Sequence, residues 1–355
     1  DLDRDALDGM VDTVPVRVQH RSGAVWFLNS AALAATGLLD SSDPAVERDT
    51  DGRATGRLVR GDHLLPRAET DLPDLGAVGR QLASVGVTGV TDATPRLDPA
   101  QTAALREAHQ AGPLPQRLVL LGASLIDPGS AGVPWKILVD ELRGLDPDAL
   151  AAEVRAAHGA GRPVALHCTS RAETVLAIAA LLDCGPRPGD RLEHAGILPP
   201  ELDDELVRGG VTVVTQPHFI AERGDDYLAD VEPADHDLLY RCGSLIDAGV
   251  RVAAGTDAPY GRPDPWAAIA AAVSRRTSSG TTVNGRERVA ARRGLDLFLG
   301  NPLDPGGRPR RVAVGDPADL CLLTMPLAEM LADPRADHVA ATVLAGRVVH
   351  RRDDL

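Results

Sequence analysis

Short apolar runs alternate with longer segments of helical period along most of this chain, and no other feature of the sequence constrains the fold as strongly. The short runs are rich in Val, Ile and Leu, which is typical of a parallel sheet with crossover helices. The pattern predicts seven strands: Gly86–Ala93, Arg117–Gly122, Trp135–Asp140, Pro163–Cys168, Arg191–Ala195, Thr212–Gln216 and Arg251–Thr256. It also predicts helices between them, such as Pro147–Gly159, Arg171–Leu182 and Ala234–Ala248. Continuous apolar strands at this spacing favour an α/β fold of the TIM-type (β/α) barrel over an open sandwich.

The two ends of the chain do not show this alternation of strands and helices. Near the beginning, Val14–Gln19 predicts a strand, Ser30–Thr36 a short helix and Asp49–Gly61 a polar hairpin. At the other end, Arg310–Leu323 and Val339–His350 predict β segments joined by a helical stretch. We therefore expect three domains, which are an inserted subdomain over 1–75, an incomplete barrel over 76–305 and a small β element over 306–355.

Composition limits the partners of this chain. The formal net charge of its 355 residues is -14, and the acidic residues are spread along the sequence, which disfavours a nucleic acid or a membrane as a partner. A small-molecule substrate is the expectation, and a homodimer stays open. No apolar run reaches the roughly 18 residues that cross a bilayer. The four cysteines have no paired spacing, so we expect a cytoplasmic protein with reduced thiols.

One basic residue differs from all the others. The sequence contains 36 arginines and a single lysine, Lys136. Lys136 lies inside the apolar stretch Trp135–Asp140, where it indicates amine chemistry, because a guanidinium stays protonated whereas a lysine can react. The alternative is a stray surface lysine, which its apolar neighbours disfavour.

Three more polar residues end predicted strands: His167, His194 and Asp257. In a (β/α) barrel the carboxyl ends of the strands form the catalytic face, so we expect these residues to converge with Lys136 on one mouth. Imidazole and carboxylate ligands suit Zn²⁺ or a similar divalent ion, which polarises a carbonyl and activates water. Each residue alone has a structural alternative, since strand-end histidines are often hydrogen-bonded core groups and Asp257 could cap the following turn.

Short motifs occur in a specific order along essentially the whole chain: Asn29–Leu33, Gly52–Gly56, Gly86–Asp92, the Lys136 segment, the two histidines, Gln216-Pro217, Gly255–Asp257 and Gly315–Asp319. With these motifs the chain resembles the amidohydrolase superfamily, specifically its amidohydrolase-3 group of YtcJ-like and N-substituted formamide deformylase-like proteins. The resemblance implies a barrel of the metal-dependent hydrolase type that holds one or two divalent ions, with zinc expected. It also implies that Lys136 is carboxylated and bridges two metals. By the same resemblance His167 and His194 bind metal, and Asp257 binds metal and handles the proton of the attacking water.

One part of the resemblance is missing. In the group a first barrel strand ends in His-x-His, and no such motif occurs among the ten histidines of this sequence. Two expected metal ligands are therefore absent, and an N-terminally incomplete sequence is the simplest interpretation. We expect the barrel to lack its first strand and to show a gap between Gly86–Ala93 and the strand that ends at Asp257, with Val14–Gln19 as the one local strand able to enter it. The C-terminal β element should be half of a composite sandwich.

The leading hypothesis is a metal-dependent hydrolase of carbon–nitrogen bonds other than peptide bonds, such as amides, cyclic amides or N-formyl groups. Metal-activated water would attack the carbonyl, and Asp257 would move the proton to the leaving nitrogen. His218 and Tyr260 are the candidate substrate-binding residues, although His218 could instead cap its strand. Two alternatives remain open: a metal-dependent deaminase on the same barrel, and a catalytically silent protein that serves as a binding or assembly module.

Overall fold

The computed structural model describes residues 2–20, 22–66 and 73–353, and the chain forms two compact units. The first unit contains Asp1–Pro73 and Leu142–Gly144, and the second contains Asp74–Glu141 and Leu145–Leu355. Within the predicted subdomain 1–75, positions 1, 21 and 67–72 lie outside the described residues.

The first unit is a small antiparallel sheet with two short helices. Its elements are α1 Arg4–Asp8, β1 Arg17–Gln19, β2 Val25–Leu28, α2 Ser30–Ala35, β3 Val46–Arg48 and β4 Ala54–Val59. The sheet order is β1-β2-β4-β3, and Leu28, Leu33 and Leu58 form the centre of its core. The predicted Val14–Gln19 strand is shorter than expected and pairs with β2, where Val18 lies opposite Phe27. The strand is the outer member of this sheet and pairs with β2, so the expectation that it would instead slide into the barrel is not met.

The second unit alternates parallel strands with helices. Its helices are α3 Leu75–Ser84, α4 Pro99–Ala111, α5 Pro147–Gly159, α6 Arg171–Cys184, α7 Asp203–Gly209, α8 His218–Asp230, α9 Gly243–Asp247, α10 Pro265–Ser274, α11 Ala291–Asp296 and α12 Leu327–Ala332. Its strands are β5 Gly89–Asp92, β6 Arg117–Leu120, β7 Trp135–Leu138, β8 Val164–Cys168, β9 Arg191–His194, β10 Thr212–Thr215, β11 Arg251–Ala254, β12 Leu320–Leu323, β13 Val339–Leu344 and β14 Arg347–Arg351. Each of the seven predicted strands is found here as β5 to β11. Among the described helices, none combines the length and apolar character that crossing a bilayer would need.

Local sequence determines where several of these helices begin. The side chains of Asp98, Asp146 and Ser170 each accept a backbone N–H in the first turn of the helix that follows, which satisfies donors that have no partner within the helix. In α6, Glu173 also reaches back to the N–H of Ser170 and completes a capping box. These caps turn the chain from each strand end into its crossover helix.

Parallel pairing keeps the strands in chain order. One sheet has the order β11-β10-β9-β8-β7, and β5 pairs with β6 in a second, two-stranded sheet. The Lys136 N–H donates to the Leu121 carbonyl at 3.1 Å, so the segment after β6 lies beside β7. Strands β8 to β10 are almost wholly buried, and Leu166, Leu192 and Val213 lie in the main core. The result is a parallel α/β unit.

The two outer strands of this series do not pair with each other. No ladder joins β5 to β11 within residues 73–353, so strand pairing alone does not close a barrel. These are the strands between which the sequence predicts a gap, but among the same residues no ladder joins β6 to β7 either, so a gap at this one place stays a prediction. One backbone donor at the edge of β11 is satisfied, because the Ala254 N–H donates to the Leu297 carbonyl at 3.0 Å.

The predicted helix over Ala234–Ala248 is wrong. A short 3₁₀ turn over Pro233–Leu238 is followed by the separate helix α9, and Tyr240 between them has a φ of 43°. The buried Arg275 guanidinium donates to the carbonyls of Leu239 and Tyr240 at 2.8 and 2.9 Å. Those carbonyls would accept helical hydrogen bonds in a continuous helix, so this tertiary contact overrides the local preference.

The C-terminal β element is a three-stranded antiparallel sheet in the order β12-β13-β14. The predicted segment Arg310–Leu323 forms a strand only in its last four residues, because a turn at Gly315, where φ is 94°, and Pro317 precede β12. Asp319 directly follows this turn. Its side chain accepts a hydrogen bond at 2.8 Å from the N–H of Ala345, which lies between β13 and β14.

Candidate functional site

The predicted ligands lie on, or just after, parallel strands of the second unit. Lys136 is on β7, His167 on β8, His194 at the end of β9 and Asp257 just after β11. The parallel register places Leu138 opposite His167 and Cys168 opposite His194. The rings of His167 and His194 meet edge to face with their centroids 4.5 Å apart. The fold therefore brings both histidines together.

Two of these residues have unusual backbone geometry. His194 has a φ of 75° and Asp257 a φ of 49°, both in the left-handed region that non-glycine residues seldom adopt. Such strained positions cluster at functional sites, where the surrounding structure holds them.

Lys136 is buried without a partner for its amine. Only 4% of the residue is exposed, and among the described residues the amine has no hydrogen bond or ion pair. Burial lowers the pKa of Lys136, and the nearby charges of Glu193 and Asp257 only partly oppose this effect. A buried ammonium without a direct partner is costly, so the neutral amine is favoured.

Burial also shifts the pKa values of His194 and Asp257. Burial lowers the pKa of His194, whose Nδ1 lies 2.8 Å from the Gln216 side-chain oxygen. Burial raises the pKa of Asp257, while the positive charges that His194 and Lys136 carry when protonated act in the opposite direction. These mutual influences place Lys136, His194 and Asp257 in one electrostatic environment. The site thus holds a neutral imidazole and a carboxylate with raised proton affinity.

A buried ion pair lies beside this group. Arg191 and Glu193 are two residues apart on β9, and Arg191 Nε is 2.7 Å from Glu193 Oε1. Burial acts to raise the pKa of Glu193, but the charge of Arg191, together with that of Lys136 when its amine is protonated, holds the pKa below its usual value. Residues at this spacing share one face of a strand. The pair therefore supplies fixed charge next to the Lys136 amine.

The two candidate substrate-binding residues occupy different places. His218 is buried at the start of α8, and its Nε2 lies 2.9 Å from the Thr256 carbonyl, next to Asp257. Its Nδ1 has no hydrogen-bond partner among the described residues. Tyr260 is 43% exposed and lies three residues after Asp257. His218 thus holds the Asp257 loop, and a substrate contact for either residue stays a prediction.

Sequence reasoning missed Arg191 and did not foresee how Gln216 orients His194. The alternation Arg191-Leu192-Glu193 inside a buried strand was a usable signal, because two opposite charges there must pair on the same face. The Gln216 contact joins residues 22 positions apart and left no local pattern.

The donor types fit a divalent metal. Two imidazoles, one carboxylate and a lysine that can be a carbamate offer the nitrogen and oxygen donors that zinc-like ions accept. Within 2–20, 22–66 and 73–353, however, no group of three or more His, Cys, Asp or Glu side chains has the spacing of a formed metal site. Metal binding by these residues therefore stays a prediction.

A cavity of about 510 Å³ in the second unit lies elsewhere. It is lined by Arg117, Pro302 and Asp319 among others. Lys136, His167, His194 and Asp257 are not among its lining residues, so this cavity is separate from them.

The sequence of this chain is similar to those of known amidohydrolases. The sequence pattern of the amidohydrolase family matches residues 2–350. The chain is 26% identical to YtcJ of Bacillus subtilis (strain 168) over 219 residues, which cover 58% of this chain and 41% of that protein. It is 31% identical to an N-substituted formamide deformylase of Arthrobacter pascens over 119 residues, or 33% of this chain and 22% of that protein. The matched regions thus span less than half the length of these curated relatives.

A solved structure also resembles the chain. An uncharacterized metal-dependent hydrolase from Pyrococcus horikoshii OT3 aligns with a TM-score of 0.63 and 18% identity, over 86% of this chain and 72% of that one. At this identity the likeness establishes a shared fold.

Proposed function

Because the chain belongs to the amidohydrolase family, we propose that it acts as a metal-dependent hydrolase of carbon–nitrogen bonds other than peptide bonds. Amides, cyclic amides and N-formyl groups are the expected substrate classes. The observation that carries the proposal is the shared environment of Lys136, His194 and Asp257, with His167 against His194. The barrel fold is part of the same proposal.

Lys136, His167, His194 and Asp257 are the proposed ligands, with zinc as the expected metal. A bound divalent ion would polarise the substrate carbonyl and lower the pKa of a water molecule. The neutral His194 ring suits a ligand role, because only a deprotonated nitrogen can coordinate, and the Gln216 contact at Nδ1 orients the ring.

Lys136 can act as a ligand in a modified form. A neutral amine combines with carbon dioxide to give a carbamate and a proton, and the resulting anion offers oxygen donors. Burial favours the neutral amine that this reaction needs. We include this carboxylated lysine in the proposal, since the donor set otherwise contains a single anionic oxygen ligand.

Asp257 is the proposed proton carrier. Its buried carboxylate has a raised pKa, so it accepts a proton from the attacking water more readily than an exposed aspartate would. It then donates this proton to the leaving nitrogen, which prevents departure of an unstable amide anion. His218 holds the backbone beside Asp257 through the Thr256 carbonyl and keeps the carboxylate in place.

A catalytically silent binding module is the second candidate. One observation favours it: in the part of the chain that the structure describes, the His, Asp, Glu and Cys side chains do not form a ready metal site. The two proposals differ in whether any substrate is cleaved.

The test is release of amine from N-formyl, N-acetyl and cyclic amide compounds, with zinc and with a chelator. We expect metal-dependent release that Asp257→Asn lowers by about 100-fold or more. Asp204→Asn, at an exposed position on α7, is the matched control and should keep wild-type activity. Release that is independent of metal, or equal in the two variants, would contradict the proposed hydrolase.

A further inference from the structure

The cavity of about 510 Å³ in the second unit is lined by three charged side chains that have no role in the mechanism above. Arg117 is the first residue of β6, Asp319 directly precedes β12, and Arg310 lies nine residues before Asp319. Pockets that bind small molecules in proteins usually enclose roughly 300 to 1,000 Å³. The cavity therefore has the size of a small-molecule site.

Two guanidinium groups converge on one carboxylate oxygen in this cavity. Arg117 Nε donates to Asp319 Oδ2, and Arg310 Nη2 lies 3.8 Å from the same oxygen. The Asp319 side chain is only 1% exposed, and its Oδ1 accepts the Ala345 N–H. Burial acts to raise the pKa of Asp319, but the hydrogen bonds from Arg117 and Ala345 hold the pKa below its usual value, so the carboxylate stays ionised.

This single carboxylate neutralises only one of the two cations. Among the described residues that line the cavity, Asp319 is the one acid, and the other two polar residues, His109 and Asn301, carry no negative charge. The cavity thus keeps a positive charge, although the formal net charge of the chain is -14. Such a local excess of positive charge attracts an anion.

Both arginines also keep hydrogen-bond donors for a ligand. Arg117 uses Nε for Asp319, and its two Nη atoms make no hydrogen bond with a described residue. Arg310 Nη2 reaches the Pro317 carbonyl at 3.5 Å, whereas its Nε and Nη1 make no hydrogen bond within the same part of the chain. Neighbouring guanidinium donors match the two oxygens of a carboxylate.

The rest of the wall is mainly apolar and is held in place. Pro115, Leu118, Pro302 and Leu344 are among the apolar lining residues. The Pro302 carbonyl accepts a hydrogen bond from Arg191 Nη1 at 3.3 Å, and the proline rings restrict the backbone, so the cavity is formed before a ligand binds. A small inorganic anion would leave this apolar wall in contact with water, whereas a ligand with a hydrocarbon part would cover it.

We propose that this cavity binds an organic monocarboxylate with an apolar body. Arg117 and Arg310 hold the carboxylate, and the hydrocarbon part lies against the prolines and leucines of the wall. One carboxylate matches the one excess positive charge. The inference is independent of the proposed hydrolase function, because the cavity is lined by none of the candidate metal ligands.

The test measures binding to the purified chain by calorimetry, in the presence of a chelator. The probes are 4-phenylbutanoate and its neutral counterpart 4-phenylbutanamide. The wild type should bind the acid at least about tenfold more tightly than the amide, because hydrogen bonds between charged groups have this strength. Acetate and inorganic phosphate lack the apolar body and should bind at least about tenfold more weakly than 4-phenylbutanoate. Equal affinities for acid and amide, phosphate binding as tight as that of the acid, or no binding of 4-phenylbutanoate would each overturn the proposal.

Arg310→Gln removes one cation while Asp319 keeps its closer partner Arg117. It should lower the affinity for 4-phenylbutanoate about tenfold and leave the affinity for the amide unchanged. Arg308→Gln is the charge-matched control, since Arg308 is exposed in the same segment and does not line the cavity, and it should bind both probes like the wild type. Equal loss of acid and amide binding in Arg310→Gln, or no loss of either, would contradict the assigned contact.

A second variant locates the ligand and decides the matter if Arg310→Gln proves unstable. Leu303 lines the cavity and is 46% exposed, so Leu303→Trp can occupy part of the space without disturbing the core. We expect it to weaken binding of acid and amide alike while the Tm without ligand stays unchanged. Lys136→Met changes the candidate metal site and should leave both affinities as they are. Undiminished binding in Leu303→Trp, or lost binding in Lys136→Met, would place the ligand outside this cavity and overturn the inference.

Discussion

Replacing Lys136 by methionine should stabilise the metal-free protein while removing its activity. The side chain is 4% exposed and its amine lacks a partner among the described residues, so folding removes the amine from water without compensation. Burying a polar group in this way costs about 1 to 3 kcal/mol, and methionine fills a similar volume without that cost.

We expect Lys136→Met to raise the free energy of unfolding by about 1 to 3 kcal/mol. For a chain of this size that corresponds to a rise in Tm of roughly 1 to 4 °C. The assay is thermal unfolding followed by circular dichroism, in chelator, with Leu138→Met on the same strand as the control. That control should change the free energy by less than about 1.5 kcal/mol.

A lower Tm in Lys136→Met than in the wild type would refute this reasoning. It would show that the amine is stabilised in the folded protein, either by a partner or by carboxylation that persists without metal. Hydrolysis measured with zinc should be lost in Lys136→Met and retained in Leu138→Met.

Three further predictions concern single side chains. Arg275→Met should destabilise the fold by about 3 kcal/mol or more, measured by urea unfolding, because it leaves three buried carbonyls without their donor, and wild-type stability would contradict this. Gln216→Leu should lower activity about tenfold or more with little change in Tm, since His194 loses the contact that orients its ring; unchanged activity would count against that role. Hydrogen bonds from Ser278 and Ser279 lower the pKa of Asp225, so its contribution to stability is present above the unfolded value near pH 4 and is lost as the pH falls through the lower folded value. Asp225→Asn should therefore be less stable than the wild type at neutral pH by thermal unfolding, with a difference that shrinks in acid; a constant difference would exclude this cause.

Much of the second unit could be predicted because its signals are local. The strands around Lys136, His167 and His194 are apolar runs whose ends were visible in the sequence, and the lone lysine indicated the burial that the structure shows. The helix predicted over Ala234–Ala248 was wrong because Arg275, far along the chain, takes its carbonyls.

The charged surroundings of the site were less predictable. The stacking of Arg223 on Phe219 follows from spacing on α8, but its contact with Tyr260 joins two loops that only the fold brings together. Contacts of this kind leave no periodic pattern in a sequence, so hydrophobic spacing cannot reveal them.

The central claim is that Lys136, His167, His194 and Asp257 share one metal-binding environment. The most direct measurement is a zinc titration of the purified chain, with elemental analysis of the bound metal. With no His-x-His motif in the 355 residues, we expect at most one weakly held ion per chain, and we expect His194→Asn to abolish its binding. Two tightly held ions per chain, or unchanged zinc binding in His194→Asn, would contradict the claim.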